Sequence, residues 1–82
     1  MTVDDEIRAF VKQRDAYLLS NDPDDWCRLF ALAGHAIPSN PTVFEMTVMK
    51  ARTAATSLPL EVRRQAAAWL RERGSTPLAD DL

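Results

Sequence analysis

The sequence has little cysteine, histidine and glycine, and these shortages exclude several kinds of site. It holds one cysteine, one histidine and two glycines in 82 residues. One cysteine cannot form an internal disulfide, and a structural zinc site needs four Cys or His ligands. The sequence also lacks a glycine-rich phosphate loop and a Gly-x-Ser-x-Gly nucleophile motif. We therefore expect no metal, no cofactor and no small-molecule substrate.

Two remaining groups invite a chemical interpretation, and neither has the right spacing. Cys27 and His35 would lie about 12 Å apart along one helix and point about 80° apart, which disfavours a nucleophile and base pair. The acids Asp22, Asp24 and Asp25 lack the central glycine and closing glutamate of a calcium-binding EF-hand loop. Helix capping explains them better, and we predict a protein that is not an enzyme.

Long apolar runs are also missing. No stretch approaches the roughly 20 apolar residues that cross a bilayer, and the first residues lack the basic and apolar segments of a signal peptide. A soluble protein in the reducing cytoplasm is therefore expected. Most of the basic residues are arginine, and the chain is also rich in alanine. Both features favour a GC-rich bacterial or phage source.

Strong net charge is absent as well. The net charge is −2 and the isoelectric point is about 5.2, so the whole molecule has no general attraction for nucleic acid or anionic lipid. The content of 46% hydrophobic and 27% charged residues is typical of a globular protein. The length predicts a single helical domain, over 1–74, and the residues after Gly74 predict a flexible tail over 75–82 because they offer little to pack. Small domains without disulfides often associate, so a homodimer is one expected form.

Prolines divide the chain into stretches with helical periodicity. Pro23, Pro41 and Pro59 each open such a stretch, where the missing amide hydrogen costs nothing. No segment alternates apolar and polar residues as a strand would. The pattern predicts an all-α fold, a compact bundle of four short helices at about 3–20, 23–35, 41–57 and 59–73.

Capping residues support these boundaries. Thr2, Asp22 and Asn40 are expected as N-caps, because their side-chain oxygens can accept bonds from the first free amides of a helix. Gly34 and Gly74 suit the left-handed conformation that ends many helices.

The first helix carries an apolar stripe that contains one charge. The residues of this stripe are predicted to form the core face of the helix: Val3, Ile7, Phe10, Val11, Tyr17 and Leu18. Arg14 falls inside the stripe. Either its stem lies along apolar surface with the guanidinium in water, or it forms a buried or interfacial ion pair, for instance with Glu45.

The third helix has a second, nearly neutral face opposite its core stripe. This face includes Met46, Met49 and Thr53 and has no charged residue. Either the helix packs on both sides, or these residues bind a protein partner, since exposed methionines make adaptable contacts.

The fourth helix combines a buried side with a basic edge. We expect Val62, Ala66, Trp69 and Leu70 to be buried. Arg63, Arg64 and Arg71 form the basic cluster of this helix, either a solvated face or a site for an acidic partner.

The leading functional hypothesis is a small non-enzymatic interaction protein: a regulator, inhibitor or adaptor that contacts a protein partner or a second copy of itself. Its expected partner-binding residues are Met46, Met49, Thr53, Arg63, Arg64 and Arg71. The alternative is a DNA-binding regulator with a degenerate helix-turn-helix formed by helices two and three. Phe30 is bulky where that motif needs a small residue, so nucleic acid is the less favoured partner.

Overall fold

A computed structural model describes residues 3–79 and residue 82. Four α-helices follow one another along the chain: α1 (Val3–Leu19), α2 (Pro23–Ala33), α3 (Pro41–Ala54) and α4 (Leu60–Glu72). No strand occurs among the described residues, which confirms the all-α prediction. None of these helices is both long and apolar enough to cross a membrane. Thr2, the expected N-cap of α1, lies outside the described residues.

The chain divides into two compact units, Met1–Ala36 and Ile37–Leu82. In the first unit, residues 20–22 join α1 to α2, and the two helices pack together as an αα-hairpin. Its buried apolar side chains are Leu18, Trp26, Leu29 and Phe30.

Hydrogen bonds fix the turn between α1 and α2. Asp22 caps α2 by accepting from the amide of Asp24 at 3.0 Å. The Ser20 hydroxyl donates to Asp25 Oδ2 at 2.6 Å, and the indole of Trp26 donates to the Ser20 carbonyl at 2.8 Å. The start of α2 is therefore tied to the end of α1 at several points.

In the second unit α3 packs against α4. Asn40 caps α3 as expected, with its side-chain oxygen accepting from Thr42 N at 2.8 Å. Gly34 and Gly74 both have left-handed φ angles, 73° and 72°. Each follows its helix with the paired bonds of a Schellman motif, such as Ser75 N to Leu70 O at 2.9 Å. Both glycine predictions are confirmed.

Helix α3 ends at Ala54, three residues before the predicted end. Ala55 leaves the helical conformation at φ −82° and ψ 92°. Residues 55–58 instead form a turn closed by the Leu58 amide and the Ala55 carbonyl, at 3.0 Å. The turn buries both of these side chains.

The core of the second unit is centred on α3 and α4. Val48, Ala67 and Leu70 have no exposed surface. Trp69, which we expected to be buried, is half-buried, and the guanidinium of Arg73 lies 3.8 Å from its ring centroid. The buried face of α4 is thus rotated toward Ala67 relative to the prediction.

The segment after Gly74 contacts α3. Pro77 is buried, and the amide of Leu78 donates to Thr53 Oγ1 at 3.1 Å. The division into a domain over 1–74 and a flexible tail over 75–82 stays a prediction, and residues 80 and 81 lie outside the described residues.

Replacing Leu70 with Ala tests the core assignment. Leu70→Ala removes a fully buried side chain and should lower the free energy of unfolding by about 2 to 5 kcal/mol. Leu60→Ala is the matched control: Leu60 is 47% exposed on the same helix, so its loss should cost about 0.5 kcal/mol. Urea denaturation followed by circular dichroism measures both, and equal costs would contradict the assignment.

The turn between α1 and α2 should respond to acid. The hydrogen bond from Ser20, with Arg28 as second cause, lowers the pKa of Asp25 below its ordinary value. A lowered carboxyl pKa stabilises the fold above the unfolded value of about 3.9 and is lost as the pH falls through the folded pKa. In an NMR titration, Ser20→Ala should raise the Asp25 midpoint toward the ordinary value. An unchanged midpoint would show that Ser20 is not the main cause.

Candidate interaction surface

The predicted partner face of α3 is largely buried within the chain. Thr53 has no exposed surface and Met49 is 7% exposed, whereas Met46 is half-buried. Burial also lowers the pKa of Arg52, which donates to Met49 Sδ at 3.6 Å. Met49 and Thr53 are therefore packed inside the chain in this structure, while Met46 keeps part of its surface exposed, and partner binding by this face stays a prediction.

Thr53 connects three segments of the second unit. Its hydroxyl donates to the Lys50 carbonyl at 2.7 Å and accepts from the Leu78 amide at 3.1 Å. Its carbonyl accepts from Arg63 Nε and Nη2 at 3.2 and 3.0 Å. Arg63, a predicted partner residue, thus ties α4 to the end of α3.

The other arginines of α4 differ in their surroundings. Arg71 donates to the Leu82 carbonyl oxygen, while Arg73 stacks on Trp69 and donates to its carbonyl at 3.0 Å. Arg64 is exposed. The structure therefore does not gather Arg63, Arg64 and Arg71 into one open basic site, because two of them bind groups within their own unit.

An apolar surface lies instead on α1, where the sequence pattern predicts core. Val3, Ile7 and Phe10 are 70%, 55% and 44% exposed, and we call these three side chains the α1 ridge. Of the predicted stripe, Leu18 is buried and Val11 and Tyr17 are half-buried. The core prediction is correct for the C-terminal part of the stripe and wrong for the ridge.

The lengths of the paired helices explain this exposure. α1 has 17 residues and α2 has 11. At about 1.5 Å per residue, α1 is longer by about 9 Å. Because the hairpin joins the C-terminal end of α1 to the start of α2, the unmatched length falls at the N-terminal end of α1. Val3 and Ile7 fall within the six unmatched residues, whereas Phe10, the least exposed of the three, lies just beyond them.

A shallow apolar groove continues the exposed surface along α1. Its lining includes Ile7, Val11, Ala16 and Leu19, with Arg8, Lys12 and Asp15 at its edges. Leu19 is 46% exposed. Large exposed apolar groups rimmed by charges are typical of protein contact sites, so α1 replaces α3 as the candidate surface.

Arg14 lies one turn beyond Phe10 on the same stripe. Its Nε and Nη2 donate to Asp15 Oδ1 at 3.2 and 3.0 Å, and its side chain is 32% exposed. An ion pair with Glu45 stays a prediction.

The connection between α2 and α3 bears on the DNA-binding alternative. It runs from residue 34 to residue 40. A helix-turn-helix joins its helices by a turn of about three or four residues, which is shorter than this segment. The geometry does not favour that motif.

Polar groups in the described part of the chain are satisfied by the protein itself. No buried side-chain nitrogen or oxygen lacks a hydrogen-bond partner there, and no group of three or more potential metal ligands occurs. No protein-family model, curated protein or solved structure matches the chain.

The Thr53 hydroxyl provides a direct test of these packing contacts. Thr53→Val keeps the shape but removes both hydroxyl bonds, so the free energy of unfolding should fall by about 1 to 3 kcal/mol. Hydrogen exchange at the Leu78 amide should accelerate at the same time. Thr47→Val is the matched control, since the Thr47 hydroxyl also bonds a helix carbonyl but is exposed. Unchanged exchange at Leu78 would contradict the contact.

Proposed function

We propose that this chain is a small, non-enzymatic helical interaction protein of the cytoplasm, a regulator, inhibitor or adaptor, whose contact surface is the α1 ridge with the adjoining groove. The observation that carries the proposal is the exposure of three large apolar side chains on successive turns of one helix. Covering such a surface removes apolar area from water and is favourable.

The charges around the ridge support a protein partner. Asp4, Asp5 and Glu6 occupy the first turn of α1, and Arg8 and Lys12 follow on the next two turns. Charges of both signs around an apolar centre resemble the polar rim of a protein interface. Such a rim favours a partner with its own mixed charges over nucleic acid, which calls for a predominantly basic surface.

DNA binding remains the alternative hypothesis. Its support is the exposed Arg64 on α4. Its proposed unit of α2 and α3 has the long connection described above, so we rank it second.

Site-specific photo-crosslinking in cells tests the proposed surface. The photoreactive residue p-benzoylphenylalanine replaces Phe10 in one variant and Val43 in another; Val43 is 48% exposed on α3, close to the 44% of Phe10. We expect a discrete protein adduct from position 10 and none from position 43. Ile7→Asp should suppress the adduct, because a charge on the ridge cannot be desolvated without cost. Equal adducts from both positions, or none from position 10, would contradict the proposal.

A further inference from the structure

We propose that the α1 ridge binds α1 of a second copy of this chain in an antiparallel pair. The inference rests on the proposed function and names its partner. It is carried by the spacing of the exposed side chains, by the order of charges along α1 and by the position of Arg14.

The spacing of the stripe is that of a two-helix seam. Val3, Ile7, Phe10 and Arg14 are separated by four, three and four residues. This alternation is the heptad spacing that keeps side chains facing a second helix. Within the chain α1 is six residues longer than α2, and the first three side chains of the seam are 70%, 55% and 44% exposed.

The order of charges selects the antiparallel direction. Three acids occupy residues 4–6, and every charged residue from 7 to 14 is basic: Arg8, Lys12 and Arg14. A parallel pair would bring the acidic turns of both copies together. An antiparallel pair brings the acidic turn of each copy to the basic segment of the other, and charge complementarity of this kind determines orientation and register.

One register satisfies both the apolar and the charged groups. When Ile7 lies opposite Phe10 of the second copy, two-fold symmetry forms the same contact twice. Val3 then lies opposite Arg14 of the second copy. That guanidinium, which already binds Asp15 of its own chain, comes within one helical turn of Asp4 and Glu6.

The size of the contact sets the expected affinity. The overlap covers residues 3–14, about 18 Å of helix. Two helices that overlap over so short a length bury less surface than the roughly 1,200 to 2,000 Å² of a standard interface. We therefore expect a reversible dimer with a Kd of about 1 to 100 µM.

Sedimentation velocity on the full chain from about 1 µM to 1 mM tests the pair, over a range chosen around that affinity. The wild-type mass should rise with concentration from 9.2 kDa toward twice that value. Ile7→Asp should remain monomeric, as should Val3→Lys, a second variant at a more exposed position that places a like charge against Arg14 of the second copy. Val43→Asp is the matched control on α3 and should dimerise like wild type, and circular dichroism verifies the helix content of each variant.

Exchanged charges test the direction of the pair. Arg14→Glu places like charges against the acidic turn of the second copy and should weaken self-association roughly tenfold. The double variant Asp4→Lys with Glu6→Lys should weaken it similarly. Combining all three substitutions in one chain restores opposite charges only in an antiparallel pair, so its Kd should return to within about threefold of wild type.

The outcomes separate this proposal from the one above. A wild-type chain that stays monomeric at about 1 mM, or a dimer that persists in Ile7→Asp and Val3→Lys, overturns the antiparallel pair. Failure of the triple variant to recover affinity while its helix content is unchanged also overturns it. If the position-10 crosslink then joins a different protein, the interaction function stands with another partner. If no crosslink forms, both proposals fail.

Discussion

Helix length is the constraint on which the rest of this structure depends. Prolines and capping residues define where α2 begins and ends, and they make it six residues shorter than α1. A hairpin can cover only the part of a helix that its partner reaches. Val3 and Ile7 on the N-terminal turns of α1 therefore keep their apolar side chains exposed, and the candidate surface starts from this mismatch in length.

The second unit differs from the first in the lengths of its paired helices, which are nearly matched at 14 and 13 residues. On the neutral face of α3, Met49 and Thr53 are buried, and polar groups take part in that packing. Thr53 shows how this works: a buried hydroxyl is tolerated because its donor and acceptor capacities are both used. The same physics explains why Arg63 is a structural residue.

The sequence was sufficient for the elements that depend on local interactions. Asp22, Asn40, Gly34 and Gly74 act through neighbours a few residues away, and all four were predicted correctly. Periodicity also identified four helices. Periodicity alone does not predict which half of an apolar stripe is buried, because that depends on the length and position of the helix that packs against it. For the same reason Val3 and Ile7 were predicted as core, and whether Met49 packs inside the chain or binds a partner was left open, although the position of Gly34 soon after Pro23 indicated that the second helix is short.

The bonds of Thr53 also limit how the chain length can vary. Its carbonyl and hydroxyl bind residues 10 and 25 positions further along the chain, so a change in length between them must leave Arg63 and Leu78 within hydrogen-bonding distance. An insertion inside α4 would rotate every later helical side chain by about 100° relative to Arg63. Insertions in the second unit would therefore be tolerated better in the connections around α4 than within it.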